Sequence, residues 1–344
     1  MVGPRFSVGF EFRQFSYNSA MTSADVVNLA VETFRNNNFD KPPDGDRFFE
    51  KYGVGNNTIR LDGPFERFNH YKDLLAALRA ADEQKFGVIH KGTPLYFLSW
   101  LAFDLRRFEA ALHFLDAAIA EDKRKDPSGW FNNPGPQFLV LNPSHAAKRT
   151  VEALSDRIGQ ELQRFEQQYH VKFSRDDFIR RFAEPMMKGG NAAVVAAFYV
   201  FVLEFDDHVA EVSLRSAPVL GSYQPLFVHL FKGGLLLETL LKLAFPQVVA
   251  TNPKTTLGTL LQHNDFRARF GFNPSSIADV TVTQLCSDAT DTKPETAFQT
   301  TGRLRNMAGH NLVRDPLPSV PRDFVTLASQ EINAFLYALL TLYP

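Results

Sequence analysis

The sequence predicts an all-α protein, and three observations carry that reading. From about residue 65 onward, apolar residues recur at helical intervals in segment after segment. Several segments open on Ser, Asp or Pro, the residue types that suit a helix start. The breaks between them are stretches rich in Pro, Gly and Asn, such as "DPSGWFNNPGPQ" and "APVLGSYQP".

Size and composition set the outer bounds. A chain of 344 residues is long enough for two or three compact units. With 44% hydrophobic residues, 33 of them Phe, and 22% charged, it has the makeup of an ordered globular protein. A formal net charge of −1 gives no global field to hold a long nucleic acid, so any nucleic-acid activity must come from a local site. Cys286 is the one cysteine, which excludes an intramolecular disulfide and a Cys-rich zinc site and suits a reducing compartment. The start "MVGPRFSVGFEFRQF" lacks the basic-then-apolar order of a signal peptide, and the apolar run Ala192–Leu203 is too short to span a bilayer, so a cytoplasmic protein without a membrane segment is expected.

Residues 1–60 form the first region. There "FSVGFEFRQF" alternates as a short strand would, "TSADVVNLAVETFRNNN" has a Ser/Asp start and helical spacing, and "DKPPDGD" and "YGVGNN" look like loops. Residues 61–216 read as a helical array. Leu74, Leu75 and Leu78 are spaced for one helix, and two more are joined near Leu105 to Arg107. After the interruption at 126–145 come a long charged helix with Ser144 as its cap, a short one capped by Ser174, and a long one from Asn191. A boundary is placed near 217–225. Residues 222–344 then supply a Leu-rich first helix ending at Pro246, shorter pieces, a helix with Pro294 in its first turn, and a last helix with Phe324, Leu327, Ile332, Phe335 and Leu339 on one face. Helices of this kind make a four-helix bundle.

The pair around Leu105 to Arg107 resembles a tetratricopeptide repeat. Leu98 and Ser99 in its first helix and Phe108, Ala111 and Ala118 in its second carry the likeness. Ala102 and Leu95 depart from it, where aromatic residues are usual, and no second copy is evident. Either degenerate helical pairs flank it or it is a plain helical hairpin.

The stretch "GRLRNMAGHN", residues 302–311, brings Arg305, Asn306 and His310 together on an otherwise ordinary amphipathic helix. Histidine exchanges protons near neutral pH, and an arginine fork stays charged against a phosphate as charge builds, so the pair suits RNA cleavage. Asn306 would orient either group by hydrogen bonding. In this context Arg305, a polar Asn306, three more residues and His310 resemble the R-x4-H motif of the HEPN superfamily, in its ribonuclease form. The resemblance covers about 222–344, including the first helix with "ETLLK" and the closing amphipathic helix. It implies a metal-independent endoribonuclease with no cofactor, in which His310 assists attack of the ribose 2′-hydroxyl and Arg305 stabilises the oxyanions, leaving 2′,3′-cyclic phosphate ends. It also implies a microbial toxin or antiviral effector with RNA as substrate, and a homodimer through the bundle. A regulatory protein or ligand would act at the N-terminal array.

Geometry adds a condition. Five residues of straight helix turn about 500°, so Arg305 and His310 point roughly 140° apart. Gly309 offers a bend before His310, and a second copy offers a composite site. From Arg303 to Arg314 there are three arginines and no acid, so a symmetric pair of such segments makes a small basic cleft.

Plainer readings stand beside these. Arg305 and His310 also fit a helix end, stopped by Gly309 and Asn311. Glu238 and Lys242 fit an i, i+4 salt bridge or support for the motif. Cys286 fits a small buried hydrophobe, and His229 and His263 fit structural roles. No H-E-x-x-H, P-loop, dinucleotide fingerprint or nucleophile elbow occurs. The rival to the nuclease is a non-catalytic nucleotide- or protein-binding helical module.

Overall fold

The computed structural model describes residues 21–53, 61, 63–145, 147–214, 223–252, 254–274, 277–278, 280–310 and 317–343. Among them the protein is all-α, with no strand. The strand-like "FSVGFEFRQF" and most of "YGVGNN" lie outside the described residues. Contacts divide the chain into two compact units, Met1–Glu152 and Ala153–Pro344. The break read at 217–225 falls inside the second unit, and its residues 217–222 lie outside those described.

The first unit holds α1 (Ser23–Asn36), α2 (Pro42–Tyr52), α3 (Pro64–Ala81), α4 (Glu83–Val88), α5 (Gly92–Asp104), α6 (Phe108–Lys125) and α7 (Pro134–Leu139). Thr22 caps α1 reciprocally with Asp25: its hydroxyl accepts from the Asp25 amide at 3.2 Å, and its own amide donates to the carboxylate at 3.0 Å. The "DKPPDGD" loop reading is corrected here, because Pro42 opens α2 at a position where a missing N–H costs nothing. The interruption at 126–145 likewise contains α7, which opens on Pro134. α1 packs on α3, α3 on α5, and α5 along α6. The chain turns between α5 and α6 at Arg106, whose φ is 55°. Leu98, Ser99, Phe108, Ala111 and Ala118 are all buried in this hairpin.

The second unit takes up most of α8 (Lys148–Tyr169), then α9 (Arg175–Phe178), a π-helical turn (Ile179–Ala183), α10 (Glu184–Lys188) and α11 (Ala192–Ser213). Next come α12 (Gln224–Ala244), α13 (Pro246–Thr251), α14 (Leu257–Leu261), α15 (Asn264–Phe270), α16 (Val282–Asp288), α17 (Pro294–His310) and α18 (Arg322–Leu342). Ser174 caps α9 as read, its hydroxyl accepting from the Asp177 amide at 3.1 Å. Ser144 does not cap α8. Its amide is held by the Asn142 side chain at 2.9 Å, and α8 begins only at Lys148.

Helices α12, α17 and α18 pack on one another, with α11 against α12. Phe324, Leu327, Ile332, Phe335 and Leu339 of α18 are buried, as their spacing predicts. α18 is long and apolar enough to cross a membrane by length and composition alone, and most of it is buried in this core. The three helices approach closely at Gly233 and Gly234 of α12. A Cβ on Gly234 would fall 2.7 Å from Cβ of Arg305 on α17, and one on Gly233 would collide with the Glu331 carboxylate on α18. Two adjacent glycines thus let two different helices touch the α12 backbone.

Candidate functional site

α17 carries the "GRLRNMAGHN" motif, and its helix is unbroken through His310. The backbone therefore makes no turn at Gly309. The His310 side chain and residue Asn311 lie outside the described ones. By helical register position 310 lies one turn beyond Asn306 and about 140° around from Arg305.

Arg305 sits where α17 meets α12 beside Gly234. Its Nε donates to Glu238 Oε2 at 3.0 Å, and its guanidinium carbon lies 4.7 Å from the centre of the Phe231 ring. No hydrogen bond holds its Nη groups among the described residues. Glu238 is nearly buried, with 8% of its side chain exposed, and its other oxygen accepts from Lys242 Nζ at 2.6 Å. The i, i+4 bridge read from the sequence is therefore made, and the same carboxylate also holds the motif arginine. One anion between two cations leaves the cluster with a net positive charge. It fixes the guanidinium through Nε and stacks it on a ring, a posture that presents the forked end of the side chain.

Asn306 does something the sequence did not indicate. Its Nδ2 donates to the backbone carbonyl of Ile277 at 3.1 Å, so it bonds neither Arg305 nor any other motif side chain that is described. Arg303, two residues before Arg305, is buried and pairs through Nη1 with Asp288 Oδ2 at 2.7 Å. Of the basic residues from 303 to 314, Arg303 and Arg305 are thus paired with acids on other helices, and Arg314 lies outside the described residues.

Around this cluster the core contains a buried carboxyl with no side-chain partner. Glu331 of α18 is 1% exposed, and neither of its oxygens has a hydrogen bond. Burial pushes its pKa well above the usual carboxylate range, against a smaller pull from the Gly234 backbone amide. His229 on α12 is as deeply buried, stacked on Phe201 at 4.3 Å, with both ring nitrogens unpartnered and the Glu204 carboxylate 3.9 Å away. Burial drives its pKa down to about 4, against the pull of Glu204. His263 caps α15, its Nδ1 accepting from the Asp265 amide at 3.2 Å, which is a structural task. Cys286 is buried, and burial raises its thiol to about 11, far from a nucleophile's range. Among the described residues no group of three or more His, Cys, Asp or Glu side chains is arranged to hold a metal ion.

Outside the bundle, one titratable cluster stands out in the first unit. His90 is bracketed by Asp46 at 3.1 Å and Asp122 at 3.0 Å, and Thr93 donates to the same Asp46 oxygen at 2.8 Å. Burial alone would depress the His90 pKa, but the two carboxylates outweigh it and raise it to about 9. This is a buried imidazolium that ties α2 to α6.

Comparison of the chain with protein-family models, with curated proteins and with solved structures finds no match in any of the three.

Proposed function

We propose that the protein is a metal-independent endoribonuclease of the HEPN type, with Arg305 and His310 as its reacting groups. The observation that carries this reading is the posture of Arg305. A buried carboxylate anchors Nε, an aromatic ring backs the guanidinium plane, and the Nη edge is left to grip two phosphate oxygens. A helix-end arginine that merely complements the dipole needs no such support.

In this reading one His310 takes the proton from the ribose 2′-hydroxyl as its oxygen bonds to phosphorus. The bond from phosphorus to the 5′-oxygen breaks, and a second acid protonates that leaving oxygen. Arg305 balances the charge on the non-bridging oxygens, and the product ends are a 2′,3′-cyclic phosphate and a 5′-hydroxyl. Because α17 runs unbroken as a helix, positions 305 and 310 of one chain diverge by helical register, so a homodimer completes the site, the second His310 serving as the acid. The outward side of α12 suits such a pairing: Leu235 and Leu243 are exposed there, on the helix that holds Phe231 and Glu238. By analogy with the family, the setting is a microbial toxin or antiviral effector, restrained through its N-terminal helices.

The engagement of Asn306 by the Ile277 carbonyl favours the second reading, a non-catalytic module that binds a nucleotide or a partner protein. RNA cleavage in excess EDTA separates the two. The nuclease reading expects cyclic-phosphate ends from the wild type and at least a hundredfold loss (about 10² or more) in both Arg305→Ala and His310→Ala. Equal behaviour of all three proteins would sink it in favour of the binding module.

A further inference from the structure

A strap crosses the motif face of α17. Gly271 ends α15 in the left-handed region, with φ 79°, and turns the chain into a segment that carries Phe272, Asn273, Pro274 and Ile277 before α16. Its near end is tied to the end of α14: Asn273 Nδ2 donates to the Leu261 carbonyl at 2.6 Å, and Gln262 Nε2 donates to the Pro274 carbonyl at 2.7 Å. Farther along, the Ile277 side chain plugs a gap made by two glycines. A Cβ on Gly302 of α17 would fall 2.9 Å from its Cγ2, and one on Gly258 of α14 would collide with its Cδ1. The Ile277 carbonyl then accepts the Asn306 amide at 3.1 Å.

Gly302, Asn306 and position 310 follow one another at intervals of four along α17, and so share one side of the helix. The strap occupies the first two of those places. A nucleic acid reaching position 310 from that side meets the strap, and it finds the Asn306 amide already bonded.

We infer that this strap is an autoinhibitory latch on the α17 motif, with Ile277 as its plug and Asn306 as its catch, and that it must lift for single-stranded RNA to enter. The proposal rests on the RNA-directed reading of the motif. The ties at Asn273 and Gln262 use no motif residue and survive opening, so they form the hinge. The Asn306 bond uses one of the three polar motif residues, so substrate and strap compete for the same amide. Apparent affinity then scales with the fraction of molecules in which the strap is open.

The test uses the full chain and two variants that leave Arg305, Asn306 and His310 in place. Ile277→Ala removes the plug and keeps the carbonyl. Gly302→Ala pushes the plug outward and also crowds Leu261, whose Cδ1 would lie 3.0 Å from the new methyl, so Ile277→Ala is the safer of the two. Three readouts are compared with wild type: hydrogen exchange of the peptide carrying Ile277, fluorescence-anisotropy binding of a single-stranded oligonucleotide that lacks 2′-hydroxyls and cannot be cleaved by this chemistry, and cleavage of the matching RNA.

The latch predicts faster exchange in the strap and about tenfold tighter oligonucleotide binding in both variants, the size expected when the plug's buried apolar contact no longer favours the closed strap while the carbonyl stays in place. Cleavage rises in step. Faster exchange with no gain in binding overturns the latch, whether or not the wild type cleaves RNA. Unchanged exchange in Ile277→Ala overturns it as well, because the plug then holds nothing. A gain in binding with no cleavage by any variant keeps the latch and removes the nuclease reading, so the two failures are told apart.

Discussion

Removing Glu238 tests whether Arg305 is held by this carboxylate or only lies near it. The carboxylate is 8% exposed, while Arg305 is 24% and Lys242 34% exposed at the side chain, so the anion is desolvated and its two cations keep part of their hydration. A charge-assisted hydrogen bond contributes about 1.5–3 kcal/mol, and partial exposure of the guanidinium reduces that to ~1–2 kcal/mol. Glu238→Ala also leaves two cations facing each other. In a unit of this size each kcal/mol moves the melting temperature by about 2–4 °C, so the single variant is expected to melt ~2–8 °C lower. The decisive quantity is the coupling in a double-mutant cycle of Glu238→Ala with Arg305→Ala, followed by circular dichroism at low salt. It should be ~1–2 kcal/mol and shrink when salt is raised. A coupling within about 0.3 kcal/mol of zero would show that the two side chains do not work together, and the argument from the posture of Arg305 would go with it. Lys242→Ala, at the more exposed end, should cost under about 0.5 kcal/mol.

Two other groups give predictions that depend on pH. The carboxylates beside His90 raise its pKa from 6.5 to about 9, so its contribution, ~3 kcal/mol at about 1.4 kcal/mol per pH unit, is full below pH 6.5 and is lost as the pH climbs through 9. Denaturant melts of wild type between pH 6 and 9.5 should therefore show falling stability of the first unit, and His90→Gln should flatten that slope; parallel curves would refute the buried imidazolium. Burial outweighs the pull of the Gly234 amide and raises the pKa of Glu331, so folding favours its protonated form and its ionisation opposes folding more as pH rises above 4.5. Glu331→Met should then stabilise the second unit by about 1–3 kcal/mol at pH 8 and by less at pH 4.5, and a loss of stability at pH 8 would mean that the carboxyl has a partner after all.

The helical character of the chain was readable because it is written locally. The buried face of α18 repeats every three to four residues, and the cap of α9 needs only Ser174 and Asp177. Local signals mislead where two rules compete for the same residues. Prolines at 42 and 134 look like loop residues, yet each opens a helix, where proline's fixed φ is an advantage. Ser144 looks like a cap, but Asn142 captures its amide in a turn, and His145 in turn accepts the Ala147 amide at 2.9 Å, so the helix starts later.

The site was half readable for a related reason. Glu238 and Lys242 are four residues apart on one helix, so their bridge follows from spacing; the bond from Arg305 spans 67 positions and follows from nothing local. What makes it possible is "KGGLL" at 232–236, where a glycine pair in mid-helix lowers helix propensity and so reads as a weakness. Each glycine instead takes a different neighbour, Gly233 the Glu331 carboxyl and Gly234 the Arg305 backbone and Cβ. The same holds at Gly258 and Gly302, which together seat Ile277. In this bundle the glycines inside helices mark where other chain segments come closest, and the motif on α17 has such a glycine contact on two of its sides. A search for candidate sites in all-α chains should therefore weigh mid-helix glycines beside charged motifs, because close backbone approach fixes an arginine more firmly than any spacing along its own helix.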